Sequence, residues 1–358
     1  MSARVLVGLS GGVDSSLTTW LLKQQGRDVG ALFMKNWEED DSEACPAEAD
    51  AEDARRVAAA VGVPFFARNF AAEYWDGVFE HFLAELRRGR TPNPDVLCNR
   101  EVKFKTFVEQ AQDLGYPKIA TGHYAQVRER DGRFELLRGA DPGKDQSYFL
   151  YALEQTQLAV AEFPIGHLRK SEVRALAAQA NLPTAAKRDS TGICFVGERA
   201  FDPFIQRYLG SNPGVMITPD GERVGEHRGL HFYTIGQRGG LGIGGRKGGS
   251  GEPWFVLDKR AADNTLIVAQ GEHALLYARA ARLETPHFIA GSAPAAFRCT
   301  AKTRYRQPDQ TCTVTLHSGG AEVVFDTPQR ALTPGQSVVF YQDEMCLGGA
   351  VLDVVDRI

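Results

Sequence analysis

Three short stretches hold residue types that can do chemistry together. The first, Gly8-Leu9-Ser10-Gly11-Gly12-Val13-Asp14-Ser15-Ser16, joins an apolar run to a helical pattern through a glycine-rich turn. Backbone N–H groups at a helix start, with the helix dipole behind them, bind phosphate. Gly11 and Gly12 permit close backbone approach, and Ser10, Ser15 and Ser16 offer hydroxyl donors. No GK[ST] ending follows, so the γ-phosphate grip of a Walker A loop is not indicated. The competing reading, a plain glycine turn with a serine or aspartate cap, is the weaker one. The second stretch is Arg90-Thr91-Pro92-Asn93-Pro94-Asp95-Val96-Leu97-Cys98-Asn99-Arg100. Two prolines in three residues predict an extended turn that presents Asp95 and Cys98 together. Around it Arg87, Arg88, Arg90, Arg100, Lys103 and Lys105 outnumber Glu85, Asp95 and Glu101 by six to three. Such a field lowers a thiol pKa and suits a phosphate backbone. A surface turn with a buried cysteine stands at even odds with this, because free cysteine is among the most buried residue types. The third stretch, Lys187–Gly197, sets Cys194 in a small glycine-flanked loop after two basic residues. Alone it reads as a core thiol; only pairing with Cys98 would make a two-thiol relay.

The elements that must position these residues alternate in the first third of the chain. Strands are predicted at Arg4–Leu9, Val29–Met34, Pro64–Phe66 and Lys118–His123, with a helix over Glu48–Val61. Strand and helix in repetition predict an α/β unit, a parallel sheet wrapped by helices. Ligands then bind at the carboxyl ends of the strands, where the Ser10–Ser16 loop lies. From about residue 205 helical periodicity fades, and glycine is dense between Gly221 and Gly251. After about residue 270 come short alternating strands: Thr311–His317, a Ser318-Gly319-Gly320 turn, Ala321–Phe325, Ser337–Tyr341 and Ala350–Val354. They predict a small antiparallel barrel. The expected division is 1–204, 205–271 and 272–358.

Composition narrows the classes. The 358 residues are 43% apolar and 24% charged, which argues against wholesale disorder. A net charge of −4 excludes a histone-like protein held to nucleic acid by its global charge. No apolar run reaches the ~18–20 residues of a membrane span, and the N-terminus enters a strand without a signal-peptide pattern. Six cysteines include no CxxC pair, so a zinc knuckle or disulfide scaffold is not expected and a reducing cytoplasm is. Gly240–Gly245 spells GxGxxG, but no helix pattern follows it, so it is no dinucleotide fingerprint. Cys299, Cys312 and Cys346 read as core. The acidic run Glu38–Asp41 reads as a solvated loop rather than a magnesium site, and no metal ligands are expected.

Taken in order, the ATP-type loop SGGxDS, Met34–Asp41, Thr91–Phe104, Thr121–Tyr124, Lys144–Leu150, Asp189–Phe195 and Thr303–Gln307 resemble the bacterial tRNA-specific 2-thiouridylases. These are pyrophosphatase-loop ATP enzymes, and the resemblance runs from about residue 4 to the C-terminus. It implies an adenine nucleotide alpha hydrolase-like catalytic domain, a small central domain and a C-terminal antiparallel β-barrel. It also implies adenylation of the C2 carbonyl oxygen of a wobble uridine, then replacement of that oxygen by sulfur from a cysteine persulfide, with AMP and pyrophosphate released. By resemblance Gly8, Leu9, Ser10, Gly11, Gly12, Val13, Asp14, Ser15, Met34 and Gly122 contact ATP, which is used with Mg²⁺. Asn93, Pro94 and Asp95 meet the target base, with Asp95 as acid/base group. Cys98 matches the nucleophile and Cys194 the persulfide carrier, with sulfur released either through a Cys98–Cys194 disulfide or as sulfide freed inside a closed site. His123, Lys144, Asp145, Gln146, Arg304, Tyr305 and Gln336 match tRNA-contacting positions. The implied partners are the anticodon region of tRNA and a sulfur-donor protein such as a cysteine desulfurase or sulfur-relay carrier. Two rivals use the same loop: an adenylating amide-forming ligase, which needs no cysteine pair, and a non-catalytic tRNA-binding protein with a regulatory ATP loop.

Overall fold

The computed structural model describes residues 4–38, 46–189, 201–244 and 251–357. Its first sheet is built from β1 (Val5–Gly8), β2 (Val29–Lys35), β3 (Phe65–Asn69), β4 (Lys118–Ala120) and β7 (Ala161–Glu162), in the order β3-β2-β1-β4-β7. Every pairing is parallel. Both faces of a parallel sheet are covered, so its central strands need unbroken apolar runs. β1 and β2 supply them, buried from Val5 to Gly8 and from Val29 to Met34. The helix Val13–Gln24 packs Leu17 against Tyr124, Ile165 and Val173, while Leu22 meets Val5, Val7 and Val57 on the helix Pro46–Val61. The strand predicted over Lys118–His123 stops at Ala120, because Gly122 is pressed against the start of the Val13–Gln24 helix.

Between β4 and β7 the chain forms a hairpin of β5 (Ala125–Arg130) and β6 (Arg133–Arg138). Sequence reasoning missed it, although Asp131-Gly132 is a strong two-residue hairpin signal and both residues take positive φ, 52° and 73°.

Four strands form a second sheet: β8 (Gly214–Ile217), β9 (Arg223–His227), β10 (Trp254–Arg260) and β11 (Thr265–Gln270), in the order β10-β11-β8-β9. A helix, Phe201–Leu209, precedes it and sets Phe204 and Tyr208 against Trp37 and Phe79 of the first unit.

The C-terminal third contains β12 (Tyr277–Leu283), β13 (His287–Phe288), β14 (Ala296–Lys302), β15 (Gln310–His317), β16 (Gly320–Arg330), β17 (Ser337–Gln342) and β18 (Met345–Arg357). The antiparallel ring β12-β16-β15-β14-β17-β18 closes through β12–β18, which leaves no free edge. Alternation along β15 sends Cys312 and Val314 inward to meet Phe325, Phe340 and Leu352. Cys299, Cys312 and Cys346 are buried, as the alternation predicts. β6 pairs with β18 through Leu136 and Leu137, so the hairpin fastens the unit of the parallel sheet to the barrel.

Candidate active site

The glycine-rich loop leaves β1 at the carboxyl edge of the parallel sheet. Gly12 is the N-cap of the Val13–Gln24 helix, with φ −92° and ψ 164°, and no side chain caps the helix start. Among the described residues its first N–H groups are thus left without a side-chain cap, the condition in which a helix start can take an anion. Gly11 has φ +76°, and a Cβ there would collide with the Asp50 carbonyl oxygen, so only glycine fits. A Cβ on Gly122 would lie 2.7 Å from the Ser15 backbone nitrogen, so this glycine lets the β4 exit brace the loop. Leu9 and Val13 are buried beneath it. At Gly8 an added Cβ would stand 3.1 Å from the Met34 Cε and 3.3 Å from the Phe107 ring, which places Met34 at the strand exit.

The three hydroxyls expected to act as donors differ in what they touch. Ser10 is exposed and can face a ligand. Ser16 is fully buried; it donates to the Gly12 carbonyl at 2.7 Å and accepts from Thr184 at 2.8 Å. It is therefore a packing residue and not a phosphate donor. Ser15 braces the loop from inside, accepting from the Ser10 N–H at 3.2 Å and donating to the Gly12 carbonyl at 3.1 Å.

Asp14 heads a charge network that the sequence did not reveal. The Lys170 ammonium donates to both its oxygens, at 2.7 and 2.8 Å, and the Tyr124 hydroxyl donates at 2.8 Å. Lys170 also binds Asp189 at 2.8 Å, where Lys144 and Arg174 each add a contact at 2.6 Å. Burial alone would raise the Asp189 pKa, but the hydrogen bonds from Lys144 and Lys170 outweigh it and hold the carboxyl at about 2. Lys187 is anchored to Asp50 and Asp53 at 2.7 and 2.6 Å. The chain thus reaches Asp189 beside the glycine-rich loop. Cys194, expected to carry sulfur, lies outside the described residues, as do Glu39–Asp41 of the acidic run.

The Cys98 turn also departs from expectation. Extended backbone ends at Asn93, with φ −112° and ψ 101°, whose side chain accepts from the Asp95 N–H at 3.1 Å. Pro94 then opens a helix, because its fixed φ and missing N–H suit a first helical position. Asp95 and Cys98 are thus related by i,i+3 helical spacing and not by an extended turn. From Cys98 to Thr106 the helix widens to the π form, a geometry frequent at functional sites. Cys98 is 0% exposed, in a core shared with Met34, Trp37, Phe79 and Phe107.

The expected basic field is largely spent on local acids. Arg88 pairs with Glu85, and Arg100 and Lys105 pair with Glu101. Arg90 binds Glu85, Glu284 and Asp353. Glu284 and Asp353 come from the barrel, far outside the sequence window in which the charges were counted.

The positions matched to tRNA contact fall into two groups. Lys144 and Tyr305 adjoin, since the Tyr305 hydroxyl donates to the Lys144 carbonyl at 3.2 Å, and Arg304 is exposed beside them. Arg304 also donates to the carbonyls of Ile235 and Ala331. The others turn inward. Asp145 is 5% exposed and accepts from Gly139, Ser147 N–H and the Ser147 hydroxyl. His123 is buried between Phe104 and Phe163 and bonded to Thr121; burial first, then Lys103, lowers its pKa. Gln146 caps the Tyr124 N–H, and Gln336 donates to the Thr91 carbonyl at 2.6 Å. The Asp145 and His123 side chains are therefore interior braces in this structure.

Asn36 also escaped individual notice. It is 2% exposed, two residues beyond Met34, and neither amide atom has a hydrogen-bond partner among the described residues. Among the described residues, no group of three or more His, Cys, Asp or Glu is placed to hold a metal. No helix among them is long and apolar enough to cross a membrane.

Comparison with known proteins covers nearly the whole chain. Residues 3–198 match the family described as the tRNA methyl transferase HUP domain, 202–270 its PRC-barrel domain, and 278–352 the aminomethyltransferase beta-barrel domain. The tRNA-specific 2-thiouridylase MnmA of Methylococcus capsulatus is 58% identical over 360 residues, covering 99% of this chain and 97% of that protein. The Proteus mirabilis protein of the same name is 57% identical, covering 98% and 97%. The 2-thiouridylase MnmA 2 of Geobacillus kaustophilus is 56% identical, covering 99% and 95%. With identity this high over nearly the full length of this chain and of each relative, the chain belongs to the tRNA-specific 2-thiouridylase family.

Proposed function

We propose that the chain is an ATP-dependent tRNA-uridine 2-sulfurtransferase, with the glycine-rich loop as nucleotide site and Cys98 and Cys194 as the sulfur-handling pair. The observation that carries this is the packing of the loop's strand against the Cys98 helix, through Gly8, Met34 and Phe107, in a chain 58% identical to a 2-thiouridylase. ATP phosphates take the N–H groups of Gly11–Ser15 and the Ser10 hydroxyl, and Met34 lies beside the adenine. Mg²⁺ held by the ATP phosphates themselves would neutralise their charge, since among the described residues no acidic cluster is placed to hold it. Lys170 and Tyr124 hold the Asp14 carboxylate at the loop.

The uridine C2 oxygen attacks the α-phosphorus and pyrophosphate leaves, which turns a poor leaving group into AMP. The terminal sulfur of a Cys194 persulfide then adds at C2 and AMP departs. Cys98 thiolate attacks the Cys194 sulfur, releases 2-thiouridine and leaves a Cys98–Cys194 disulfide. Asn93, Pro94 and Asp95 receive the base, which leaves the anticodon stack to reach them. Asp95 exchanges the proton. Lys144, Arg304 and Tyr305 face the tRNA, and a protein that carries persulfide sulfur loads Cys194 in the cytoplasm. The 1–204, 205–271 and 272–358 segments would serve as catalytic, linking and barrel domains. Incubating the protein with ATP, substrate tRNA and a persulfide donor tests the reading. Equal amounts of 2-thiouridine and AMP are expected, and AMP formation that needs ammonia instead of a sulfur donor would overturn it.

A further inference from the structure

The turn that carries Asn93, Asp95 and Cys98 is tied down on its entry side by both other parts of the chain. Thr91 is the junction. Its hydroxyl accepts from the Lys259 ammonium of β10 at 3.0 Å, and the same ammonium donates to the Tyr233 carbonyl at 2.9 Å. The Thr91 carbonyl accepts from Gln336, and its N–H donates to the Pro334 carbonyl at 2.9 Å. The loop before β17 is pressed so close that a Cβ on Gly335 would stand 2.9 Å from the Thr91 nitrogen. One residue earlier, Arg90 reaches Glu284 at 2.5 Å and Asp353 at 3.1 Å on the barrel.

Lys259 is an expensive way to make this junction. Both acceptors of its ammonium are neutral, and burial pushes its pKa down to about 7 against the opposing pull of Asp258. An apolar side chain of similar volume would avoid that cost. What only a polar head supplies is a directed bond to the Thr91 hydroxyl, three residues before the helix that carries Asp95 and Cys98.

We propose that Lys259 is a positioning residue for sulfur transfer, which acts through Thr91 to fix the Asn93–Cys98 turn against the central sheet and the barrel. The inference rests on the reading above that this turn meets the target base. It gives the central sheet a task in the reaction: the angle at which the turn meets a uridine is set by a residue outside the nucleotide-type unit.

The test uses the full chain with Lys259→Met, Thr91→Val and Thr91→Ser. Single-turnover 2-thiouridine formation at saturating tRNA is measured beside the affinities for ATP and tRNA. Lys259→Met and Thr91→Val should slow the saturated rate by about 10- to 100-fold, as small misplacements of a reacting group do. Both affinities should stay within about threefold of the parent, which separates positioning from binding. Thr91→Ser keeps the hydroxyl and should restore the rate. The Lys259→Met/Thr91→Val double variant should be no slower than the slower single, because both remove one bond. A parental rate in Thr91→Val would overturn the proposal, as would a loss of tRNA affinity matching the loss of rate. A parent protein that makes no 2-thiouridine would overturn the functional reading, and this inference with it.

Discussion

Ser10 and Ser16 lie in one loop and differ in what their hydroxyls touch, which gives them separable phenotypes. Ser10→Ala should cut tRNA-dependent AMP formation by about 10- to 100-fold, the scale for losing one preorganised donor. Its melting temperature should stay near the parent's. Ser16→Ala leaves the buried Thr184 hydroxyl short of its acceptor, so a loss of about 1–3 kcal/mol in unfolding free energy is expected, with ATP affinity held. Denaturant unfolding and ATP titration on both variants would check this, and exchanged phenotypes would sink the assignment. The motif SGGxDSS shows which residue types are present; the inward turn of Ser16 goes with its bond from Thr184, which lies 168 positions away. Lys170 escaped the sequence reading for the same reason. It becomes a partner of Asp14 only when the fold closes a separation of 156 residues, and Asp189 joins the network through Lys170.

At the scale of elements, the Asp14–Lys170–Asp189 network should be pH-dependent with a definite sign. The folded pKa of Asp189, about 2, lies below its ordinary value of 3.8. Its contribution to stability is therefore complete above about pH 4 and is lost as pH falls through 2. Asp189→Asn should destabilise the protein at pH 7 and hardly at all near pH 2, as read by urea unfolding. Arg90 makes a second element-scale case. Replacing it with Met strands the buried Glu85 carboxylate beside an exposed Arg88, and should cost about 3 kcal/mol. Central strands, the first helices and the barrel's alternating strands were legible because period and apolar runs are local properties. The π-form helix after Cys98 and the pairing of β6 with β18 were not legible. The first depends on a backbone choice without a composition signal, and the second on contact between segments about two hundred residues apart.

Over the whole molecule, the parts meet at ion pairs and buried polar bonds, and Lys259 makes that junction sensitive to pH. Its folded pKa of about 7 lies below the ordinary 10.5, so between those values the unfolded chain holds a proton that the folded chain lacks. Asp258 opposes this shift, and the neighbouring His231 titrates below its own ordinary value. Stability then rises with pH from about 7 to about 10.5. The melting temperature of Lys259→Met relative to the parent should be more favourable at pH 6 than at pH 9. Binding of tRNA should weaken steeply with salt despite the net charge of −4, with a log–log slope near −0.7 for each single-strand phosphate met by groups such as Arg87, Lys144 and Arg304. The central claim, that two cysteines divide the sulfur chemistry, is tested most directly by mass spectrometry of the protein after incubation with a persulfide donor, without and then with ATP and tRNA. Without them Cys98→Ser should carry an adduct of about 32 Da, one sulfur atom, on the peptide containing Cys194; with them it should consume ATP and keep the base linked to Cys194 through that sulfur, while Cys194→Ser should consume ATP and carry neither. An adduct found only on Cys98, or thiolation that survives the loss of both thiols, would contradict the account.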